Sequence, residues 1–526
     1  MHVHVMFLLV TDTAIRTAPS SPQQQQWTPR LWGILAVLCL ALFLDGLDVS
    51  MVGVALPSIG AELGLSTTAL QWIVSGYVLG FGGLLLLGGR TADLLGRRKV
   101  FLIALGVFAV ASLLGGIVDD GGLLIATRLI KGVAAAFTAP TGLSIITTTF
   151  AEGRDRNKAL SIYTLFGASG FSSGLIVGGL MTGIGWRWTF LFPVPIATAA
   201  LIAGLMLIPR DRPAATGGYD VGGATTLTGG MLLLVYTVVS APETGFTHPG
   251  IIASFILAIA LLTAFFMIER RVAHPLVRLG ILRVGSIVRA NVGLVALFGS
   301  FLSFQFIMTL YLQNVLGWSP IQMALALLPA GVLVVLTAPY AGRMIDRVGT
   351  PKLIIAGLSA LSVGYVLFFF RIDTDPNYLT VILPSVVLLG VGFALGFPSI
   401  NVQATAGVKD SEQGLAAGLV QTSGQVGAAL VLALSTALMS VDAHGVNESM
   451  EQSLSQFRPG LVLVTVVALA GLAVTASPLL RRSPPSSTAS SAPASNPSST
   501  PASSPSNPSS PTPSSTSKPS SYTPSP

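Results

Sequence analysis

The chain has 526 residues, of which 52% are hydrophobic and only 9% charged, with a mean hydropathy of +0.76. A soluble domain carries roughly a quarter charged residues, so this composition excludes a soluble enzyme or binding module and marks an integral membrane protein. The formal net charge of +7 does not signal nucleic acid, because a membrane protein collects Lys and Arg in its cytoplasmic loops, and the lone Cys39 excludes a disulfide framework or a cysteine metal cluster.

Residues 1–30 read as a disordered cytoplasmic N-terminus with a Gln run at 23–26. Their apolar start, VHVMFLLV, is too short to span a bilayer and lacks a basic leader, so it is a poor signal peptide. A span needs about 20 apolar residues. The first run, 31–57, contains LDGLDVSMVGVALPSI over residues 44–59. Asp45 and Asp48 lie three apart and share a helix face. A carboxylate inside a span is expensive and marks function.

The second and third runs, 68–88 and 100–118, flank GRTADLLGRRK at 89–99, with Arg90, Arg97, Arg98, Lys99 and Asp93 crowded into eleven residues. Lipid does not tolerate such a stretch, so it is a short loop between spans. Gly89 lets a neighbouring helix approach, and Gly96 ends a helix or takes a left-handed turn. The fourth run, 122–149, contains ATRLIKGVAAAF, the fifth, 158–183, contains GFSSGLIVGG, and WRWTFLFPVPIA opens the sixth, 188–208. Runs at 222–240 and 250–268 lead to a basic stretch with Arg270, Arg271, Arg278, Arg283 and Arg289. That pair of spans is either a lipid-facing brace or part of the pathway, and the basic stretch suits anionic lipid. Six further runs follow, at 286–313, 320–341, 352–370, 378–405, 413–440 and 459–480. Residues 483–526 are almost all Ser, Pro, Thr and Ala and form a disordered cytoplasmic tail.

The loop pattern returns at 342–352 as GRMIDRVGTPK, where Gly342, Arg343, Asp346, Gly349 and Lys352 match Gly89, Arg90, Asp93, Gly96 and Lys99 at an offset of 253 residues. An internal repeat of this kind is the signature of a transporter built from two similar halves. With fourteen spans and the N-terminus inside, inner loops hold twenty Lys and Arg, while outer loops hold only Arg187, Arg371 and Arg458. That positive-inside bias fails if one span is added or dropped. No Walker sequence follows a strand, and His2, His4, His248, His274 and His444 are too scattered for a metal site or a hydrolase triad.

G-x-x-x-D-x-x-G-R-R-K between the second and third spans resembles the loop motif of the major facilitator superfamily. LDVSMVGVALP, with Asp48 as its acid, resembles the first-helix motif of that superfamily's fourteen-helix drug:proton antiporters. Arg128 and Gly132 match the R-x-x-Q-G motif, with Lys131 where glutamine is usual. Gly170, Gly174, Gly178 and Gly179 match the antiporter motif G-x-x-x-G-P-x-x-G-G, with Leu175 in place of the proline, and allow helices to pack closely.

The resemblance covers residues 30–482 and implies an all-α integral membrane fold, two six-helix bundles with a two-helix insertion. The expected parts are 1–30 as N-terminus, 31–209 as the first bundle, 210–284 as the insertion and basic loop, 285–482 as the second bundle and 483–526 as tail. The implied function is proton-coupled efflux of amphipathic small molecules by alternating access, in a multi-pass plasma-membrane protein with both termini cytoplasmic. It needs no cofactor beyond the proton gradient, and its partners are substrate, protons and lipid, with a monomer expected. Proton-coupled uptake of a metabolite, or a membrane sensor that moves nothing, are the alternatives.

Asp48, Asp45 and Arg128 are the proton-coupling candidates. Gly89, Asp93, Gly96, Arg97, Arg98, Gly342, Asp346 and Gly349 are the gating loops, expected to latch the outward-open state. Trp72, Tyr77, Phe304 and Tyr311 are candidates for the cavity wall, or face lipid. Counting from Leu31 at about 1.5 Å per residue puts Asp45 about 21 Å along its span, level with Arg128 about 10 Å from the outer face, and Asp48 about 25 Å along. Depth favours Asp45 and the motif favours Asp48, which is preferred because tilt shifts these depths.

Overall fold

The computed structural model describes residues 27–210, 220–272, 275, 280, 284–406, 408, 410–440 and 450–480. Residues 1–26, Arg212, His274, Arg278, Arg283, Lys409, His444, Arg481, Arg482 and the tail 483–526 lie outside the described residues, as does the side chain of Asp93.

Among the described residues, fourteen helices are long and apolar enough to cross a membrane. The first half contains α1 (Pro29–Leu63), α2 (Thr67–Leu95), α3 (Arg97–Ile117), α4 (Gly121–Thr149) and α5 (Arg154–Ile184). Its sixth span, Trp188–Leu207, joins α6 (Trp188–Leu191) to α7 (Pro193–Leu207). Between the halves come α8 (Val221–Thr244) and α9 (Pro249–Glu269). The second half contains α10 (Gly285–Leu310), α11 (Pro320–Thr337) continued by α12 (Ala341–Val348), α13 (Thr350–Arg371), α14 (Leu383–Thr405), α15 (Asp410–Ser440) and α16 (Met450–Leu480).

Local chemistry starts and stops these helices. Thr28 Oγ accepts from Leu31 N ahead of Pro29, Asp120 caps α4 through Leu123 N at 2.8 Å, and Ser319 forms a capping box with Gln322. Residues 27–30, expected to be disordered, are instead built into the fold. Trp27 donates its indole N–H to Asp155 at 2.8 Å, and the Lys158 ammonium sits 4.3 Å from its ring centre.

The charged loop is shorter than expected. Helix α2 continues through most of the motif to Leu95, and the turn is the single residue Gly96, at φ 94° and ψ 131°. Gly349 repeats it between α12 and α13, at φ 87° and ψ 146°. Both values suit glycine alone, because a Cβ would clash with its own backbone. The close approach expected at Gly89 occurs one residue earlier. A Cβ on Gly88 would lie 3.1 Å from Phe137 Cα, whereas Gly89 meets only Pro140 at 3.7 Å.

Packing repeats as the sequence does. Helix α1 packs on α5 and α7, α2 on α4, and α3 on α4 and α7; correspondingly α10 packs on α15 and α16, α11 on α14, and α13 on α14 and α16. The halves meet along two equivalent seams, α2 with α15 and α5 with α11. Helix α8 packs on both α2 and α15, with Thr228 Oγ donating to Gly83 O at 3.1 Å, so the inserted pair straddles one seam. Helix α9 turns Ile252, Phe255, Ile256, Leu257, Ile259, Phe266 and Met267 outward. A row of exposed apolar side chains on a long span suits lipid, which corresponds to the bracing alternative.

The glycines of α5 set how closely α1 lies. A Cβ on Gly174 would fall 2.6 Å from Leu47 O, one on Gly178 2.7 Å from Met51 Cα, and one on Gly170 3.1 Å from Phe43 Cα. Phe43, Leu47 and Met51 are one face of α1, spaced by four, so three glycine rungs clamp it. Gly179 instead faces the other half, where its Cβ would fall 3.0 Å from Ile321 Cα.

Candidate functional site

Pinned by that glycine face, α1 turns Asp45 and Asp48 toward α4. Asp48 is fully buried and holds two cations at once: Arg128 on Oδ2 and Lys131 on Oδ1. All three side chains sit inside the bundle. Arg128 Nε donates to Ile73 O on α2 at 3.0 Å, and its guanidinium lies 4.7 Å from the Tyr77 ring centre. Lys131 is walled by aromatics, with its ammonium 4.8 Å from the Phe108 ring centre and 5.3 Å from that of Phe190. The helices approach closely here because Gly132 carries no side chain; a Cβ would sit 2.9 Å from Tyr77 Cα.

Asp45 lies one turn away and differs in kind. Its Oδ2 accepts from Thr138 Oγ at 3.2 Å, and among the described residues it has no ion pair. It retains 8% exposure, against none for Asp48. Arg128 therefore pairs with Asp48, although counting along the spans puts Asp45 at its level: rotation about the helix axis turns Asp48, not Asp45, to Arg128.

Burying two cations on one carboxylate is costly, and breaking such a pair by removing one partner costs about 3–5 kcal/mol. A membrane protein retains ionisable groups like these for what they do. Lys131 and Thr138 were absent from the sequence-based candidates for the site. A lysine in mid-span was signal enough for Lys131; nothing in a hydroxyl on an apolar helix distinguishes Thr138.

The aromatic candidates divide. Tyr77 joins the charged cluster and Trp72 packs partly buried beside it. Phe304 and Tyr311 have no exposure and belong to the core of the second half, against Tyr365 and Phe368. A different set faces the space between the halves. Phe298 stacks on Phe397 at 5.5 Å and 17° and on Phe393 at 5.9 Å and 5°, and Phe393 on Phe397 at 5.2 Å and 21°. Phe301 continues the wall, and Phe171 of α5 reaches it across the interface at 6.1 Å. All five are partly exposed. Phe298 also packs against a buried cluster that joins Tyr77 and Val78 of the first half to Ala428 and Ala429 of the second.

A polar patch joins two of the wall's helices, α10 and α14, to α15. Gln421 donates to Asn401 Oδ1 at 2.9 Å, Ser423 to Asn291 Oδ1 at 2.6 Å, and Asn401 to Phe397 O at 2.8 Å.

At the end away from Gly96 and Gly349 the halves are shut. Gln313 donates to Val54 O across the interface at 2.8 Å. The cleft between Val49, Gly53, Val74, Gln305 and Thr309 holds about 20 Å³, room for little more than one water. At the glycine-turn end α12 buries no residue, and Asp346 and Gly342 are exposed. Arg98 donates to Leu205 O at 2.7 Å, at the last turn of α7 in its own half.

On the shut end Arg187 pairs with Glu62 and Asp119 and stacks on Trp186 at 4.4 Å, tying together three connections of the first half. Hydrogen bonding to Glu62, and then to Asp119, holds its guanidinium above the usual arginine range.

Comparison with known proteins follows the same two-half pattern. The family model described as Major Facilitator Superfamily matches residues 38–432 and again 290–516. The chain is 39% identical over 414 residues to the puromycin resistance protein pur8 of Streptomyces alboniger, covering 77% of this chain and 81% of that one. It is 34% identical over 459 residues to the cephamycin export protein CmcT of Amycolatopsis lactamdurans, covering 86% and 93%. Among solved structures it resembles the POT family transporter PepTSo, with a TM-score of 0.62 and 17% identity over 85% of this chain and 99% of that one. The nucleoside transporter NupG gives 0.61 and 14%, over 84% and 99%. At such identities the structures speak for the fold alone, but sequence relatives this similar over most of both chains speak for descent, and this chain belongs to the Major Facilitator Superfamily.

Proposed function

We propose that the protein exports small amphipathic molecules, flat aromatic antibiotics among them, across the plasma membrane in exchange for protons. The observation that carries this reading is the buried cluster of Asp48, Arg128 and Lys131 with Asp45 beside it, in a half whose other spans are apolar. Such a cluster has no structural need in a membrane and suits a group that changes charge as the bundle moves. The aromatic wall suits the cargo, because a flat ring stacks on phenylalanine faces at little conformational cost. The relatives named for puromycin resistance and cephamycin export support the direction.

Transport proceeds by rocking of the two halves about the seams α2–α15 and α5–α11, so that the space between Tyr77 and the phenylalanine wall opens alternately to each side. The basic loops put both termini and both glycine turns in the cytoplasm. The present arrangement is then closed outside, with α12 exposed at the inner end. In the opposite state the turns at Gly96 and Gly349 approach, and Asp93 and Asp346 with Arg97 and Arg98 latch the cytoplasmic ends. The chain acts as a monomer that needs only substrate and a proton gradient, and it catalyses no covalent chemistry.

Puromycin tests the reading. Expression in a bacterial host stripped of its own pumps should raise puromycin tolerance, and inverted vesicles with an acid interior should accumulate the drug until an uncoupler collapses the gradient. Accumulation in right-side-out vesicles instead would establish uptake, and proteoliposomes with no substrate-dependent proton flux for any tested drug would refute transport of this class.

A further inference from the structure

We infer that Asp45, not Asp48, is the carboxyl that takes up and releases the coupling proton, while Asp48 stays ionised as the standing counter-ion of Arg128 and Lys131. This rests on the proton-exchange reading above and assigns its parts differently from the first-helix motif.

The argument begins with what each oxygen of Asp48 faces. Oδ2 meets a guanidinium and Oδ1 an ammonium. Both groups only donate hydrogen bonds. A proton added to either oxygen would point at a donor, with no acceptor to receive it. It would also leave two buried cations without their shared counter-charge, in a site with no exposure. Had position 131 held glutamine, the amide oxygen would offer an acceptor and one cation fewer. Lys131 is thus a positioning residue that locks Asp48 in one charge state.

Asp45 has the opposite surroundings. Its partner is the Thr138 hydroxyl, at 3.2 Å, which also lies 3.2 Å from Ala135 O. A hydroxyl rotates and can serve both states. It donates to the carboxylate, and when Asp45 is a carboxylic acid it accepts that proton and turns its own hydrogen to Ala135 O. Neither state leaves an orphaned group. Asp45 also keeps 8% exposure, where Asp48 has none.

The ionisable groups around it on every packed helix are few. They are Asp48 and Cys39 on α1, Arg128 and Lys131 on α4, Tyr77 on α2 and Tyr163 on α5. Helices α7 and α11 carry none, and α10 has only Arg289 in its first turns. With Asp45 ionised, the two acids and two cations cancel; with Asp45 protonated, the site carries one net positive charge. That charge disfavours a cationic substrate beside it and admits one once the proton has left to inner water, which is the exchange an antiporter needs.

Infrared difference titration of the purified full-length protein in lipid reads this without any substrate. Titrated above about pH 6, where exposed Asp and Glu are already ionised, the wild type should show a carboxylic-acid C=O band that is lost as pH rises. Asp45→Asn should abolish it. The charge-balanced pair Asp48→Asn with Lys131→Gln should keep it. Thr138→Val leaves all four charges in place, so it reports even if the double variant does not fold, and should move the band frequency. A band that survives Asp45→Asn, disappears in the double variant, or is indifferent to Thr138→Val would overturn the assignment. In puromycin-loaded vesicles, Asp45→Asn should lose both gradient-driven accumulation and exchange of labelled for unlabelled drug, because a permanently neutral side chain leaves the site with the net positive charge that disfavours a cation. If wild-type vesicles move no puromycin, the export reading is what fails, and the infrared result still decides where the proton sits.

Discussion

Replacing Gly178 with alanine should loosen α1 from α5 and uncouple the charged cluster. The added Cβ would lie 2.7 Å from Met51 Cα, where van der Waals contact begins at about 3.4 Å, so the backbones must part by about 0.7 Å. Neither atom can rotate away, since one is a Cβ fixed to its helix and the other is main chain. Overpacking of this kind costs about 1–3 kcal/mol, and a gap of 0.5–1 Å along the rest of the interface forfeits roughly a quarter to a half of each contact's dispersion energy. Asp48 sits one turn before Met51, so the displacement reaches the pair with Arg128 and Lys131. Gly183 is the control in the same helix: nothing lies within 4 Å of its added Cβ. There alanine should be neutral or stabilise by about 0.4–1 kcal/mol. The assay is thermal unfolding in lipid nanodiscs alongside puromycin accumulation in vesicles. A lower midpoint and lost transport for Gly178→Ala, with both unchanged for Gly183→Ala, is the expected outcome. Equal behaviour of the two variants would show that close approach of α5 to α1 is not what holds the site.

Removing the arginine side chain with Arg128→Ala should cost about 3–5 kcal/mol and abolish transport, measured by the same unfolding and vesicle assays; an active, stable variant would separate the cluster from function. Phe397→Ala should weaken aromatic cargo by about 0.5–1.5 kcal/mol, a rise of roughly two- to thirteenfold in KM with little loss of stability. Phe304→Ala should instead lower stability by about 3–5 kcal/mol, because its ring fills the core and not the wall. For the gating turns, Asp93→Asn should leave the protein folded and cut transport severely, and Asp346→Asn should be milder, since the second copy lacks the run of three basic residues; normal drug accumulation by both variants would remove the latch.

Much of the architecture was legible because a bilayer imposes its demand segment by segment. Each span must supply about 20 apolar residues of its own, so all fourteen could be read off the chain, and the observed helices coincide with them. The turns at Gly96 and Gly349 were legible for a related reason: charges cannot enter lipid, and a repeat at one offset announces two equivalent halves. Asp48 and Arg128 stood out because ionisable side chains in mid-span are rare.

What the sequence could not decide was rotation and neighbourhood. A helix that is apolar on every side carries no periodic stripe to say which face looks inward. So Phe304 and Tyr311 read the same as Phe298 and Phe397, although the first two lie in a core and the others line the interface. Depth along α1 could not separate Asp45 from Asp48, because pairing depends on the angle about the axis, and that angle is set by glycines one helix away in α5. The position of α8 over the α2–α15 seam likewise has no local signal. Lys131 was visible as a departure from a motif, but only the folded bundle places its ammonium on the same carboxylate as Arg128, which turns a single substitution into a change in which acid is free to titrate.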